Sequence, residues 1–275
     1  MHRRFINHRK GWELLTKVID MKNVSWVREK KTILSDINWQ VLKGENWAVL
    51  GLNGSGKTTL LNMVNGYIWP TTGQVSVLEK QFGKTDLREL RKKIGWVSSA
   101  LEVRMNTSER VQDIIVSGKY ASIGLYEEPT EADFTVVKKL MEKLRISHLY
   151  DRTYGTCSHG EKQKTLIARG LMASPDLLIL DEPSNGLDFI AREELLATIN
   201  ELAHQEDSPT IILVTHHIEE VLPAFTHTLL LRAGTIYDQG KKENIFTSER
   251  LSDFFGKSVA VTWQQDRPWM TLTQE

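Results

Sequence analysis

Apolar residues recur along this chain at two spacings, and the alternation between those spacings outlines a fold. Lys17 to Ser25, Thr32 to Gln40 and Asn46 to Leu50 carry them at strand-like intervals, with Lys43-Gly44 as a turn between the last two. Lys57 to Asn65 reads as a helix that stops at Gly66. Gly73 to Leu78 and Lys93 to Val97 read as further short strands. From about Leu101 to Thr156 the pattern becomes mainly helical. The best example follows Thr130, which can cap a helix with Asp133 three residues on, and Phe134, Val137, Leu140, Met141 and Leu144 form its apolar stripe. Strands return at Leu177 to Leu180 and Thr210 to Val214, separated by a helix through Leu195, Leu196, Ile199 and Leu202. Both strands are apolar throughout, as in a parallel sheet covered on two faces. A last helix is expected over Ser248 to Phe255. No internal repeat interrupts the series, so the organisation is an α/β core with a helical insertion.

Composition narrows the class without naming it. The 275 residues suffice for a substantial core and one two-lobed domain. Lys plus Arg equals Asp plus Glu at 35 each, and that balance calls for no DNA or other polyanion, although a local basic face is compatible with it. The longest apolar runs, such as Leu177 to Leu180, fall far below the roughly 20 residues that cross a bilayer. Met1 to Ile6 is basic, but no apolar stretch of about 7–15 residues follows, which argues against a secretory leader. Cys157 is the single cysteine, so no internal disulfide forms and a cytoplasmic setting is expected.

The chemistry concentrates first in Gly51-Leu52-Asn53-Gly54-Ser55-Gly56-Lys57-Thr58, which fits the phosphate-binding pattern G-x-x-x-x-G-K-[ST] between a strand and a helix. Gly51, Gly54 and Gly56 let backbone amides approach phosphate oxygens. The helix start, with Thr59 next in line, adds N–H donors and partial positive charge. Lys57 suits the β and γ phosphates and the Thr58 hydroxyl suits Mg²⁺, so Mg-ATP is the expected ligand. The second concentration is Leu177-Leu-Ile-Leu-Asp181-Glu182. A buried strand ending in two carboxylates is costly unless the charges are used. Asp181 is placed to hold Mg²⁺, and Glu182 to polarise a water for attack on the γ-phosphate. Glu182 therefore favours hydrolysis over phosphoryl transfer by a kinase.

A third motif, Cys157-Ser158-His159-Gly160-Glu161 before a helix, resembles the signature of ABC-type ATPases, usually Leu-Ser-Gly-Gly-Gln or Glu. Ser184-Asn-Gly-Leu-Asp188 is similar to that family's D-loop, and Thr215-His216-His217 to its switch histidine. The resemblance implies a P-loop NTPase core, mainly parallel with an antiparallel β subdomain, plus an inserted α-helical subdomain. It divides the chain into a basic extension over 1–16, the ATPase domain over 17–256 with its helical part at about 101–165, and a tail over 257–275. It further implies that two copies close head to tail, Ser158, His159, Gly160 and Glu161 of one facing the nucleotide on the phosphate loop of the other. In that scheme His216 positions Glu182 and the water.

Several positions depart from the family pattern. Ser99 stands where the family has a Gln that contacts Mg²⁺ or water and links the nucleotide to a transmembrane partner. Cys157 replaces Leu, and His159 replaces the first Gly, where an imidazole could make nucleotide binding pH-sensitive. Arg28 aligns with the residue that stacks on adenine, and a guanidinium can do so; Trp26, two residues earlier, is the other candidate. The resemblance implies the ATP-hydrolysing subunit of a transporter, peripheral on the inner face of the cell membrane. Its transmembrane permease would be a separate chain docked on the stretch Glu102 to Tyr126. Val111 to Gly124 leans towards importers of chelated metals and oxyanions, molybdate included. Ser99 keeps open the alternative of a soluble ABC ATPase acting on ribosomes or nucleic acid. The basic start (Arg3, Arg4, Arg9, Lys10) is either a solvated tail or a contact for lipid headgroups or RNA.

Overall fold

The computed structural model describes residues 16–120 and 128–273; the basic start, part of the expected docking stretch and the last two residues lie outside the described residues. Two long strands come first, β1 (Lys17–Arg28) and β2 (Lys31–Leu42), then the short buried β3 (Trp47–Leu50). The glycine loop leads into α1 (Lys57–Val64), β4 (Thr72–Val77), β5 (Lys80–Gln81), α2 (Leu87–Lys92) and β6 (Ile94–Ser98). A helical run follows: α3 (Ser99–Arg104), α4 (Val111–Ser117), α5 (Glu131–Lys143) and α6 (His159–Leu171). Strand and helix then alternate through β7 (Leu177–Asp181), α7 (Phe189–Ala203), β8 (Thr210–Thr215), β9 (His227–Arg232) and β10 (Thr235–Lys241). The described chain ends with α8 (Lys242–Ile245), α9 (Ser248–Phe255), β11 (Val259–Gln264) and β12 (Arg267–Leu272).

The central sheet has the order β10-β9-β3-β8-β7-β6, parallel except where β10 returns against β9. A second, antiparallel sheet has the order β2-β1-β4-β5. Alternation along the central strands sends side chains into two cores. Ala48, Leu50, Leu178, Leu180, Ile211 and Leu213 face the helical side, while Trp47, Val49, Leu177, Ile179, Ile212 and Val214 face α1 and the antiparallel sheet. Burial on both faces is why these strands carry no polar alternation. The architecture is the P-loop α/β fold expected, with antiparallel sheet and helical part both present. Among the described helices none is long and apolar enough to cross a membrane.

Two regions were not legible in advance. β9 and β10 carry only partial alternation, and their turn uses Ala233 at positive φ before Gly234. Residues from 257 on, expected as a tail, instead form the hairpin of β11 and β12, packed on α9 through bonds from the Val259 and Val261 amides to the hydroxyls of Ser252 and Ser248. Its two-residue turn places Gln265 and Asp266 at φ of 51° and 58°, so the chain lacks the Asn-Gly or Asp-Gly signal that normally announces such a turn.

The start of α5 shows how a local pattern becomes structure. The Thr130 hydroxyl accepts from the Asp133 amide at 3.3 Å, and the Asp133 carboxylate accepts from the Thr130 amide at 2.9 Å. Lys119 donates to both Asp133 oxygens, and this bond, then those from Thr130, holds the carboxyl group down at about 2. A lowered folded value means the ionised group stabilises the helix start above its ordinary value of about 4 and stops doing so as pH falls towards about 2. Amide exchange at Asp133 and Phe134 should therefore accelerate across that window in the native protein, beyond any change in Asp133→Asn. Parallel profiles in the two proteins would show that the cap does not titrate this way.

Candidate active site

The parallel register assembles the site. Leu50 lies opposite Thr215, Val214 opposite Asp181, and Asp181 opposite Ser98. The residues that follow each strand, Gly51, His216, Glu182 and Ser99, thus leave the sheet side by side at its carboxyl edge, where open α/β sheets bind ligands.

The loop from Gly51 to Gly56 is pressed onto β9 and β2. A Cβ on Gly51 would lie 2.5 Å from both the Leu231 carbonyl and Ser55 Oγ, and one on Gly56, at φ 106°, would lie 2.9 Å from Leu34. No side chain caps α1, so its first-turn donors at Lys57, Thr58 and Thr59 face outward without a side-chain acceptor. Ser55 Oγ is buried with no hydrogen-bond partner. The buried Lys57 ammonium donates to the carbonyls of Gly51 at 2.7 Å and Leu52 at 3.3 Å. Burial lowers its pKa against the opposing pull of Glu182 and Asp181. Leu52, Asn53 and Gly54 are exposed along the rim. An orphaned hydroxyl, an uncapped helix start and a cation resting on carbonyls together suit a triphosphate.

The acidic side faces this cradle. Glu182 Oε1 lies 3.9 Å from Lys57 Nζ and 3.3 Å from His216 Nδ1, so one carboxylate joins the loop to His216. Glu182 sits at φ 50°, a left-handed conformation rare for a side-chain-bearing residue and frequent where function constrains the backbone. Its amide donates to the Val214 carbonyl at 2.9 Å, which fixes the turn. The Asp181 carboxyl group is pushed up to about 6 by burial and by Glu182, with Lys57 opposing. Thr58 is exposed in the first turn of α1. Thr58 and Asp181 are oxygen donors of the kind that Mg²⁺ takes.

Behind this pair lies a connection that motif spacing did not expose. Glu220, 1% exposed, accepts from Ser184 Oγ at 2.6 Å and from Thr215 Oγ1 at 2.5 Å, and Thr215 Oγ1 accepts from the His217 amide. The buried carboxylate thus ties Ser184 of the D-loop to the end of β8, from which His216 emerges. Asp188, the other D-loop residue singled out, caps α7 by accepting from the Ala191 amide.

The signature residues lie apart from the loop. Ser158 caps α6 and forms a reciprocal box with Glu161, whose carboxylate accepts from the Ser158 amide at 2.7 Å. Glu161 also meets His148 at 3.2 Å, so its charge is used within the chain. His159 is not a free imidazole: it lies 3.4 Å from Gln163 Nε2 and 3.8 Å from Glu102, and Gln163 donates to the same Glu102 at 2.7 Å. A Cβ on Gly160 would touch Ala191 at 3.6 Å. The signature therefore packs on the D-loop side of α7, and among the described residues none of its hydrogen bonds reaches the phosphate loop.

Ser99 and Arg28 are less engaged. Ser99 is exposed at the start of α3; the residue in register with Asp181 is the buried Ser98, whose hydroxyl accepts from the Leu101 amide. Arg28 ends β1 with an exposed guanidinium 3.6 Å from Glu29, while Trp26 is half-buried opposite Leu34, the residue that touches Gly56. A separate groove of about 850 Å³ runs between α2, β6, α3 and α6. Arg88, Arg91, Lys92, Arg104 and Arg169 line it, and no carboxylate does so among the described residues.

Comparison with known proteins agrees with this geometry. A family model described as ABC transporter matches residues 34–185. The uncharacterized ABC transporter ATP-binding protein YlmA of Bacillus subtilis (strain 168) is 50% identical over 258 residues, covering 94% of this chain and 98% of that protein. The manganese transport system ATP-binding protein MntB of the same organism is 30% identical over 86% of this chain and 92% of its own. An inward-facing ABC transporter described as metal-chelate type aligns with a TM-score of 0.75 and 26% identity, covering 94% of this chain and 97% of that one. The chain belongs to the ABC transporter ATP-binding family, and its enzyme class is ATPase.

Replacing Lys57 with Ala removes the buried cation that lies in the glycine loop. ATP affinity measured by calorimetry should fall by at least about a hundredfold, roughly 2.7 kcal/mol. Affinity within twofold of the native protein would show that the loop does not hold the phosphates.

Proposed function

We propose that this chain binds and hydrolyses Mg-ATP as the energy-coupling subunit of a transporter, peripheral on the cytoplasmic face of a membrane and docked to a separate permease chain. The observation that carries the hydrolytic part is Glu182 held between Lys57 and His216 at the sheet edge. Glu182 is the base that takes a proton from the attacking water, and His216 orients it. Lys57 exchanges the loop carbonyls for phosphate oxygens. Thr58 and Asp181 would hold Mg²⁺, which would supply charge neutralisation on the phosphates. The second half-site comes from another copy: Ser158 and Gly160 open α6 on a helix start that, among the described residues, has no bond to its own chain's loop, which supports a head-to-tail pair.

The groove supports the permease. It adjoins β6 and α3, the elements that run from the sheet edge, and is lined by Arg88, Arg91 and Arg104 beside a Lys92 paired with Glu89 and a buried Arg169, in a chain of zero net charge. Charge complementarity favours an acidic cytosolic segment there. The metal-chelate transporter among the structural neighbours supports a metal or chelate cargo.

Glu182→Gln should retain ATP affinity, lose at least about a hundredfold in turnover, and migrate as an ATP-dependent dimer in size-exclusion chromatography. Near-normal turnover in that variant would remove Glu182 as the base. Affinity capture of the same variant from detergent-solubilised cells should bring down a multi-span membrane protein; ribosomal subunits in its place would favour the soluble ATPase. Arg88→Glu with Arg104→Glu should reduce that capture severalfold while leaving soluble ATP hydrolysis intact. Undiminished capture would place the permease elsewhere.

A further inference from the structure

The hairpin of β11 and β12 is not part of the phosphate cradle, yet it is bonded to the segment that carries the switch histidine. Arg267, at the start of β12, donates through Nη1 and Nη2 to Glu193 on α7 at 2.5 and 3.0 Å, and through Nε to the Glu219 carbonyl. Glu193 lies on the helix that Asp188 caps, and Glu219 lies three residues beyond His216. The guanidinium also stacks on Trp269, 5.1 Å from the ring centre. Bidentate bonding holds the Glu193 carboxyl group below the usual range, Arg267 being the largest cause.

A second cation braces the same segment. Lys242, 3% exposed, donates to the carbonyls of Leu222 at 3.2 Å, Pro223 at 3.3 Å and Asp266 at 3.2 Å. Asp266 is in the hairpin turn, so Lys242 fastens that turn to the chain just downstream of the switch. The stretch from Glu219 to Pro223 is therefore gripped at both ends, and Glu220, between the grips, bonds Ser184 and Thr215.

We propose that Arg267 is a positioning residue for ATP hydrolysis, through which the C-terminal hairpin locks the segment after His216 to the helix that follows the D-loop. Its hydrogen bonds among the described residues go to Glu193 and the Glu219 carbonyl, not to the phosphate loop or to Glu182. Its action is to fix the angle at which His216 meets Glu182, and with it the placement of the base. The inference rests on the reading of Glu182 and His216 as the hydrolytic pair.

The test is steady-state ATP hydrolysis by the full chain, with ATP affinity and melting temperature measured on the same samples. Arg267→Ala should lower kcat about tenfold while KM and ATP affinity stay within about twofold, the pattern of a lost transition-state arrangement. Arg267→Lys, which keeps the charge but not the fork, should fall between the two. Glu193→Gln should lower kcat in the same direction, and the double variant with Arg267→Ala should be no worse than Arg267→Ala alone. Unchanged kcat in folded Arg267→Ala overturns the proposal, as does a loss shared equally by kcat, ATP affinity and melting temperature. If Arg267→Ala does not fold, the kcat of Arg267→Lys and Glu193→Gln decides by the same criteria. Glu182→Gln and His216→Ala in the same assay separate the layers: normal turnover there overturns the hydrolytic pair itself, whereas their inactivity beside a fully active Arg267→Ala overturns only the lock.

Discussion

Because β3, β8 and β7 run parallel, with Leu50 opposite Thr215 and Val214 opposite Asp181, the peptides that follow them emerge at one edge and at one height. The glycine loop, His216 and Glu182 have no other reason to meet, since they lie far apart along the chain. The register is held by packing rather than polarity. Trp47 and Val49 face one core while Ala48 and Leu50 face the other. A one-residue slip would send the indole to the helical side and leave Ala48 to fill its place, and closely packed cores resist such a volume exchange. The close approach of Gly51 to the Leu231 carbonyl adds a second lock, for any side chain there would push the loop off β9.

Within that frame, the buried charges divide by how completely they are satisfied. Lys242 spends its three donors on three carbonyls and is a structural rivet. Glu220 receives two hydroxyls and Arg267 occupies both oxygens of Glu193. Lys57 differs. It has one good carbonyl bond, one long one and a carboxylate at 3.9 Å, so two of its three donors have weak partners that a phosphate oxygen can displace. Asp181 differs in the same sense: its charge is discouraged by burial and by Glu182 until a cation adjoins it. Incomplete satisfaction at Lys57 and Asp181 against fuller satisfaction at Lys242, Glu220 and Glu193 separates the candidate binding groups from these supporting ones.

That distinction also explains what the sequence disclosed. Lys57, Asp181, Glu182 and His216 were legible because each follows a strand or glycine loop whose pattern is local, and the box of Thr130 and Asp133 was legible because its two halves are three residues apart. Nothing in the sequence marked the role of Glu220, for its partners Ser184 and Thr215 lie on separate elements and no spacing reports their convergence. The hairpin escaped because Gln265 and Asp266 supply its turn without glycine, and Arg267 because a cation's partner cannot be read from its own neighbours. Ser99 was chosen by alignment, whereas the residue that register sets beside Asp181 is Ser98, already committed to capping α3. Aligned position and available donor are different quantities when a helix begins one residue away.

The signature adds a constraint on how two copies would communicate. Gly160 packs on Ala191 and His159 lies within 4.0 Å of a Cβ placed on Gly186, so the signature is packed against the D-loop and α7. His159 also shares Glu102 with Gln163, joining α6 to α3 and hence to the basic groove. In a head-to-tail pair, a γ-phosphate held by the partner's Ser158 would pull on α6. The pull would reach the groove through Glu102, and α7 through Ala191. Arg267 fastens α7 to the stretch beyond His216, so the same displacement would reach the segment that carries His216. A covalent neighbour could not make that link, because α7 and the switch segment are separated by β8; a two-pronged cation spanning both can.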